Sequence, residues 1–192
     1  MKKIISILIA AALGLSAFTA IAGSIDPASV PKKKQTTLGL YLTPQEAHEM
    51  KEHMGAKALM VDVRTPAEIF YLGMANDADM NIPYMLIDFS SYDDKNKRYS
   101  MSPNSAFTLK MEDAVKKAGM DKESTIILSC RSGDRSANAA DLLAKAGYKH
   151  VYSVVEGFEG DMSKDGRRSV NGWKNDNLPW TYDVPKSKLY IE

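Results

Sequence analysis

The chain has 192 residues, 25 Lys plus Arg against 24 Asp plus Glu, a formal charge of +1 and a single cysteine. A near-neutral chain of this size has room for one core and lacks the basic surplus that a nucleic-acid or other polyanion partner demands. One cysteine excludes an internal disulfide framework, so the thiol is either an intermolecular bridge or a free reactive group.

Residues 1–22 read as a cleaved signal peptide. Lys2 and Lys3 form a basic start, Ile4 to Leu15 an apolar run, and Ala20 and Ala22 supply small residues ahead of a cut before Gly23. The run is short for a membrane span, contains Gly14 and Ser16, and lacks a basic stop-transfer flank. No cysteine stands near the cut, which excludes bacterial lipidation. The expectation is export to the periplasm, with no membrane attachment after cleavage. Cleavage removes two lysines and no acids, so the charge falls from +1 to −1.

Residues 23–37 hold Pro27, Pro31 and the run Lys32 to Lys34, and read as an exposed leader before a single domain over 38–192. Leu38 to Leu42 is a first strand. Thr43-Pro44-Gln45-Glu46 is a helix start, with a Thr cap, proline at the first helical position and Glu three residues after the cap. Ala47, Met50 and Met54 then share one face of a helix ending at Gly55. Ala58 to Val63 is a second strand, and Thr65-Pro66-Ala67-Glu68 repeats the helix-start pattern. Residues 86–104 are polar and carry no clear period. They read as a surface excursion, with a functional lid as the alternative.

Phe107, Met111, Ala114, Val115 and Ala118 recur at helical spacing, and Gly119 closes that helix. Thr125 to Leu128 has the content of a buried strand, Ser136 to Ala146 reads as a helix closed by Gly147, and His150 to Val154 is a further strand. Alternating strands and helices predict an α/β fold, with a mainly parallel central sheet and helices on both faces. His48, His53 and His150 show no metal-ligand spacing, and His48 and His53 read as exposed. Neither a metal nor a cofactor is expected.

The chemistry concentrates between the strand at 125 and the helix after it, in Cys130-Arg131-Ser132-Gly133-Asp134-Arg135-Ser136. A thiol reacts as thiolate, which a helix N-terminus and neighbouring arginines favour. Gly133 lets the backbone curl so that successive N–H groups can point inward at an anion. A nucleophilic sulfur in an anion cradle suits attack on an anionic, polarisable substrate. A cysteine merely packed in a core would not be followed by Arg-Ser-Gly-Asp-Arg.

This loop resembles the active-site loop of the rhodanese-like sulfurtransferases. The resemblance implies that Cys130 takes a sulfane sulfur from a donor such as thiosulfate, becomes a persulfide, and passes the sulfur to a thiophilic acceptor. It also implies a six-residue loop ending at Arg135; a related phosphatase would need its arginine at 136, where Ser136 stands. Asp62-Val63-Arg64 followed by Glu68 is similar to the family's second strand, with Asp62 and Arg64 as an ion-paired brace. Two places depart from the family: Met74-Ala75 follow Gly73, and roughly ten extra residues, 161–170, precede Trp173 and Leu178-Pro179 in what resembles the family's closing helix.

The reading that follows is an exported, single-domain sulfurtransferase with Cys130 as nucleophile. Backbone N–H groups from Arg131 to Ser136, Gly133 and Asp134 among them, cradle the anion; Arg131 and Arg135 hold its charge, and Ser132 and Ser136 donate hydrogen bonds. Arg131 is similar to thiosulfate enzymes and Ser132 to mercaptopyruvate enzymes, with thiosulfate favoured. The partners are a small anionic donor and a thiophilic acceptor, cyanide or a thiol. The alternative is a non-catalytic persulfide carrier or sulfane-sensing module serving a protein acceptor.

Overall fold

The computed structural model describes residues 23–191, so the segment read as a signal peptide lies outside the described residues. Among the described residues, four α-helices and nine strands follow in chain order. They are β1 (Tyr41–Leu42), α1 (Pro44–Met54), β2 (Ala58–Asp62), α2 (Pro66–Leu72), β3 (Met74–Ala75), β4 (Met80–Asn81), β5 (Met85–Asp93), β6 (Arg98–Pro103), α3 (Phe107–Lys117), β7 (Thr125–Ser129), α4 (Asp134–Lys145), β8 (His150–Val154) and β9 (Trp180–Thr181).

The central sheet has the order β1-β8-β7-β2-β4, and each neighbouring pair is parallel. Its strands are apolar on both faces because both are covered. Leu59, Val61, Ile126, Leu128 and Val151 face one side, with Met111 and Val115 of α3 and Ala139, Ala140 and Leu143 of α4. Ala58, Met60, Ile127, Tyr152 and Val154 face the other, with Ala47 and Met50 of α1 and Ile69 of α2. The α/β sheet with helices on both faces is therefore as predicted. Period-two alternation within each strand sorts side chains between the two layers.

Both predicted helix starts form complete capping boxes. Thr43 Oγ1 accepts from the Glu46 N–H at 3.1 Å and Glu46 Oε2 from the Thr43 N–H at 2.8 Å. Thr65 and Glu68 repeat this at 3.2 and 3.0 Å. Asp62 and Arg64 form the brace expected of them. Arg64 Nη2 donates to Asp62 Oδ2 at 2.6 Å and to the Gly73 carbonyl at 2.8 Å, and its guanidinium lies 4.0 Å over the Phe158 ring.

Four local expectations need correction or refinement. Residues 23–37 are not simply an exposed leader: Val30 packs with Tyr41 and Val155, and Lys34 is 3% exposed, its ammonium bonded to Asp161 Oδ1 at 2.9 Å. A lysine stem is long enough to bury itself while its charge meets a partner. Residues 86–104 form a surface excursion with a regular structure, mostly the hairpin of β5 and β6; its alternation Met85, Ile87, Phe89 is short and blurred by the apolar Leu86 between the first two. The closing helix is absent, because Gly172 at φ 100° and Asn177 at φ 57° bracket too few residues for more than a turn. His48 is not exposed; it lies edge-on to Trp173 and its Nδ1 is 2.5 Å from Asp77 Oδ2.

Candidate active site

The site forms where open parallel sheets place theirs, beyond the carboxyl ends of the strands. β7 ends at Ser129 and α4 begins at Asp134, leaving Cys130 to Gly133 to turn the chain. Gly133 has φ 97°, and a Cβ there would lie 2.1 Å from the Val155 carbonyl oxygen. Only glycine fits, both in conformation and in space. The turn aims the Gly133 N–H at Cys130 Sγ, 3.1 Å away.

Cys130 is 1% exposed and forms the floor of a groove of about 1040 Å³. Ser136, in the first turn of α4, places its hydroxyl 3.5 Å from Sγ and 3.0 Å from the Gly133 carbonyl. Ser153 of β8 donates to Ser136 Oγ at 3.0 Å. That contact leaves Ser136 its one proton for the Gly133 carbonyl or for sulfur. Sequence reasoning missed Ser153: an inward hydroxyl on a buried strand shows its role only once β8 lies beside β7.

The loop is pinned from behind. The Cys130 carbonyl accepts from the Phe158 N–H at 2.8 Å, and the Arg131 carbonyl from Glu159 and Gly160 at 2.9 and 3.2 Å. Gly157, at φ 64°, lets this backing turn approach, since a Cβ there would meet the Cys130 carbonyl oxygen at 2.6 Å.

Both loop arginines have carboxylate partners within the protein. Arg135 makes a two-pronged pair with Glu68, at 2.7 and 2.6 Å. Burial pushes the Glu68 carboxyl up, but the Arg135 hydrogen bonds and charge outweigh it and hold the group at about 2. Burial likewise opposes the Arg135 cation, and Glu68 and Cys130 more than offset this, raising its pKa. Arg131 Nε bonds Glu159 Oε2 at 2.5 Å, while its side chain remains 41% exposed in the groove. So both arginines line the groove, Arg135 held against α2 and 15% exposed, Arg131 the more open of the two.

Asp134 opens α4 and accepts from Lys33 Nζ at 3.1 Å, and Ser132 lines the groove. Glu68, Lys33, Arg168 and the hairpin side chains Ile87 and Phe89 line it as well, none of them assigned to the site from sequence. Of the cations in the 161–170 segment, Lys164 and Arg167 are exposed, and Arg168 reaches the groove. Among the described residues, no group of three or more His, Cys, Asp or Glu could hold a metal ion.

This arrangement can hold a reactive sulfur beneath a shaped opening, with an N–H and a hydroxyl directed at it. Comparison with known proteins gives the chemistry a family. The rhodanese-like domain matches residues 43–164. An uncharacterised protein of Rickettsia prowazekii, RP600, is 35% identical over 126 residues, 65% of this chain and 84% of its own. The thiosulfate sulfurtransferase GlpE of Haemophilus influenzae is 31% identical over 121 residues, 62% of this chain and 84% of its own. The crystal structure of Rv0390 from M. tuberculosis aligns with a TM-score of 0.57 at 27% identity, over 74% of this chain and 96% of that one. Sequence match, fold and loop agree: the chain belongs to the rhodanese-like family, whose sulfurtransferases work on small sulfur donors and acceptors.

Proposed function

We propose that this protein is an exported sulfurtransferase that carries a sulfane sulfur on Cys130, with thiosulfate as its anionic donor. The observation that carries the reading is the placement of Cys130 Sγ, at the floor of the groove and 3.1 Å from the Gly133 nitrogen. In the first step the Cys130 thiolate attacks the outer sulfur of thiosulfate. Their S–S bond forms, the bond inside thiosulfate breaks, and sulfite leaves with the electron pair. In the second step an acceptor, cyanide or a thiolate, attacks the outer sulfur of the persulfide, and Cys130 leaves as thiolate. The inward N–H of Gly133 and the Ser136 hydroxyl meet the charge on sulfur in both steps.

Intact mass of the mature protein tests this. Thiosulfate should add the mass of one sulfur atom and cyanide should remove it. Cys130→Ser, checked for native folding by circular dichroism, should show neither change and no thiosulfate:cyanide transfer. Substantial residual transfer in that variant would take Cys130 out of the mechanism.

A second reading, a persulfide carrier for a protein acceptor, draws on the hairpin beside the site, where Phe89, Tyr92 and Tyr99 are exposed. Wild type that hardly charges from thiosulfate, yet charges readily from a protein persulfide, would favour it. Export rests on the Lys2–Ala22 pattern, and the N-terminus of the protein from its host decides it.

A further inference from the structure

The groove above Cys130 is much larger than an inorganic donor requires. At about 1040 Å³ it matches the sites that hold organic ligands, and thiosulfate would fill a small corner. Its sides differ in character. One is the inner face of the hairpin, where Met85, Ile87 and Phe89 alternate along β5 and Met101 stands opposite Ile87 on β6. Phe89 is 73% exposed and Met85, Ile87 and Met101 are half-buried, so the described residues leave part of this apolar face open.

The other side is cationic. Arg131 is bonded to Glu159, and Arg168 donates to the Gly160 carbonyl. Burial lowers the Arg168 pKa, and the like charge of Arg131 adds to the effect, with Glu159 in partial compensation. The nearby acids Asp134 and Asp161 are engaged by Lys33 and Lys34. Two guanidiniums against one carboxylate leave a positive surplus that an anionic group would neutralise. Arg168 lies beyond the stretch that the family model matches, residues 43–164.

We propose that the sulfur partner of Cys130 in this groove is an amphipathic organic thiol. Its apolar body of several carbons lies on the hairpin face, and its carboxylate or comparable anion meets Arg131 and Arg168. This rests on the reading of Cys130 as the persulfide carrier. The acceptor thiolate attacks the outer sulfur, the S–S bond to Cys130 breaks, and the acceptor leaves as a persulfide.

Two measurements on the mature protein test it. In the first, straight-chain carboxylates from butanoate to decanoate compete with iodoacetamide for Cys130, read by intact mass. Protection should strengthen about twofold or more per added methylene, and should weaken when an alcohol replaces the carboxylate. Arg168→Gln should remove the preference for carboxylate, and Ile87→Ser the dependence on length. Wild-type protection that is flat with length, or equal for acid and alcohol, overturns the proposal whatever the variants do.

In the second, protein charged with thiosulfate is offered 6-mercaptohexanoate or 2-mercaptoethanol. Transfer to the former should be about tenfold faster or more. Equal rates overturn the acceptor assignment, as does transfer to a protein thiol when both small thiols fail. Normal charging with a flat protection series sinks the groove assignment alone. A steep series in a protein that thiosulfate cannot charge sinks the persulfide reading, and with it the claim that the ligand is a sulfur acceptor.

Discussion

Arg131 of the turn and Arg135 at the start of α4 meet different carboxylates, Glu159 and Glu68. Their removal should therefore have different kinetic signatures. Arg135→Ala should slow thiosulfate and an uncharged polysulfane by similar factors, about tenfold or more, because it loosens the loop that presents Sγ. Arg131→Ala should cost about tenfold in kcat/KM with thiosulfate, some 1.4 kcal/mol of transition-state stabilisation, and clearly less with the uncharged donor. Raised ionic strength should narrow that gap to the extent that Arg131 steers the donor from a distance. Equal sensitivity of the two variants to donor charge would show that the ion pairs open when a donor binds.

The helix α2 and the active-site loop are joined through one carboxylate. Glu68 accepts from the Thr65 N–H in the capping box and from Nη1 and Nη2 of Arg135. Its pKa is about 2 in the folded protein, against an ordinary value of 4.5. A carboxyl lowered on folding stabilises fully above the unfolded value and loses that contribution as pH falls through the folded one. The stabilisation is on the order of 2–3 kcal/mol near neutral pH. Urea unfolding of wild type and Glu68→Gln should thus differ by that order at pH 7, with wild type the more stable. The gap should shrink below about pH 4.5 and almost close by about pH 2. A gap that persists unchanged at the acid end would assign the effect to the shape of the side chain, not to its charge.

On the scale of the molecule, the groove is framed by three segments around the sheet's carboxyl edge: the N-terminal segment, the hairpin and the 161–170 insertion. Lys33 and Lys34 of the first reach Asp134 and Asp161, so the N-terminal segment ties the loop helix to the insertion. The chain is packed from its first described residues, with the Ser24 N–H donating to Glu46 Oε1 at 2.6 Å. A cut after Ala22 would keep this segment whole, whereas a cut inside 23–34 would lose part of it. The protein purified from its host should accordingly be soluble and begin at Gly23, as N-terminal sequencing would read. A full-length chain that pellets with membranes would refute export with cleavage.

The sequence by itself determined what depends on local chemistry. Thr43-Pro44 and Thr65-Pro66 start helices because each Thr and the Glu three residues later cap one another without outside help. Gly133 marks the turn because residues with a side chain rarely adopt its φ of 97°, and Cys130 is the nucleophile candidate because it is the sole thiol. The tertiary structure decided whatever needed partners distant in the chain. Glu68 claims Arg135 across 67 residues and Glu159 claims Arg131 across 28, so the two cations could not be assigned from the loop alone. Ser153 stands behind Ser136 only because β8 pairs with β7. Lys34 looked like one charge in a solvated run, and is buried because Asp161, 127 residues later, meets its ammonium. Caps and turns are written within a few residues, while ion pairs and pocket walls depend on which segments the sheet brings together.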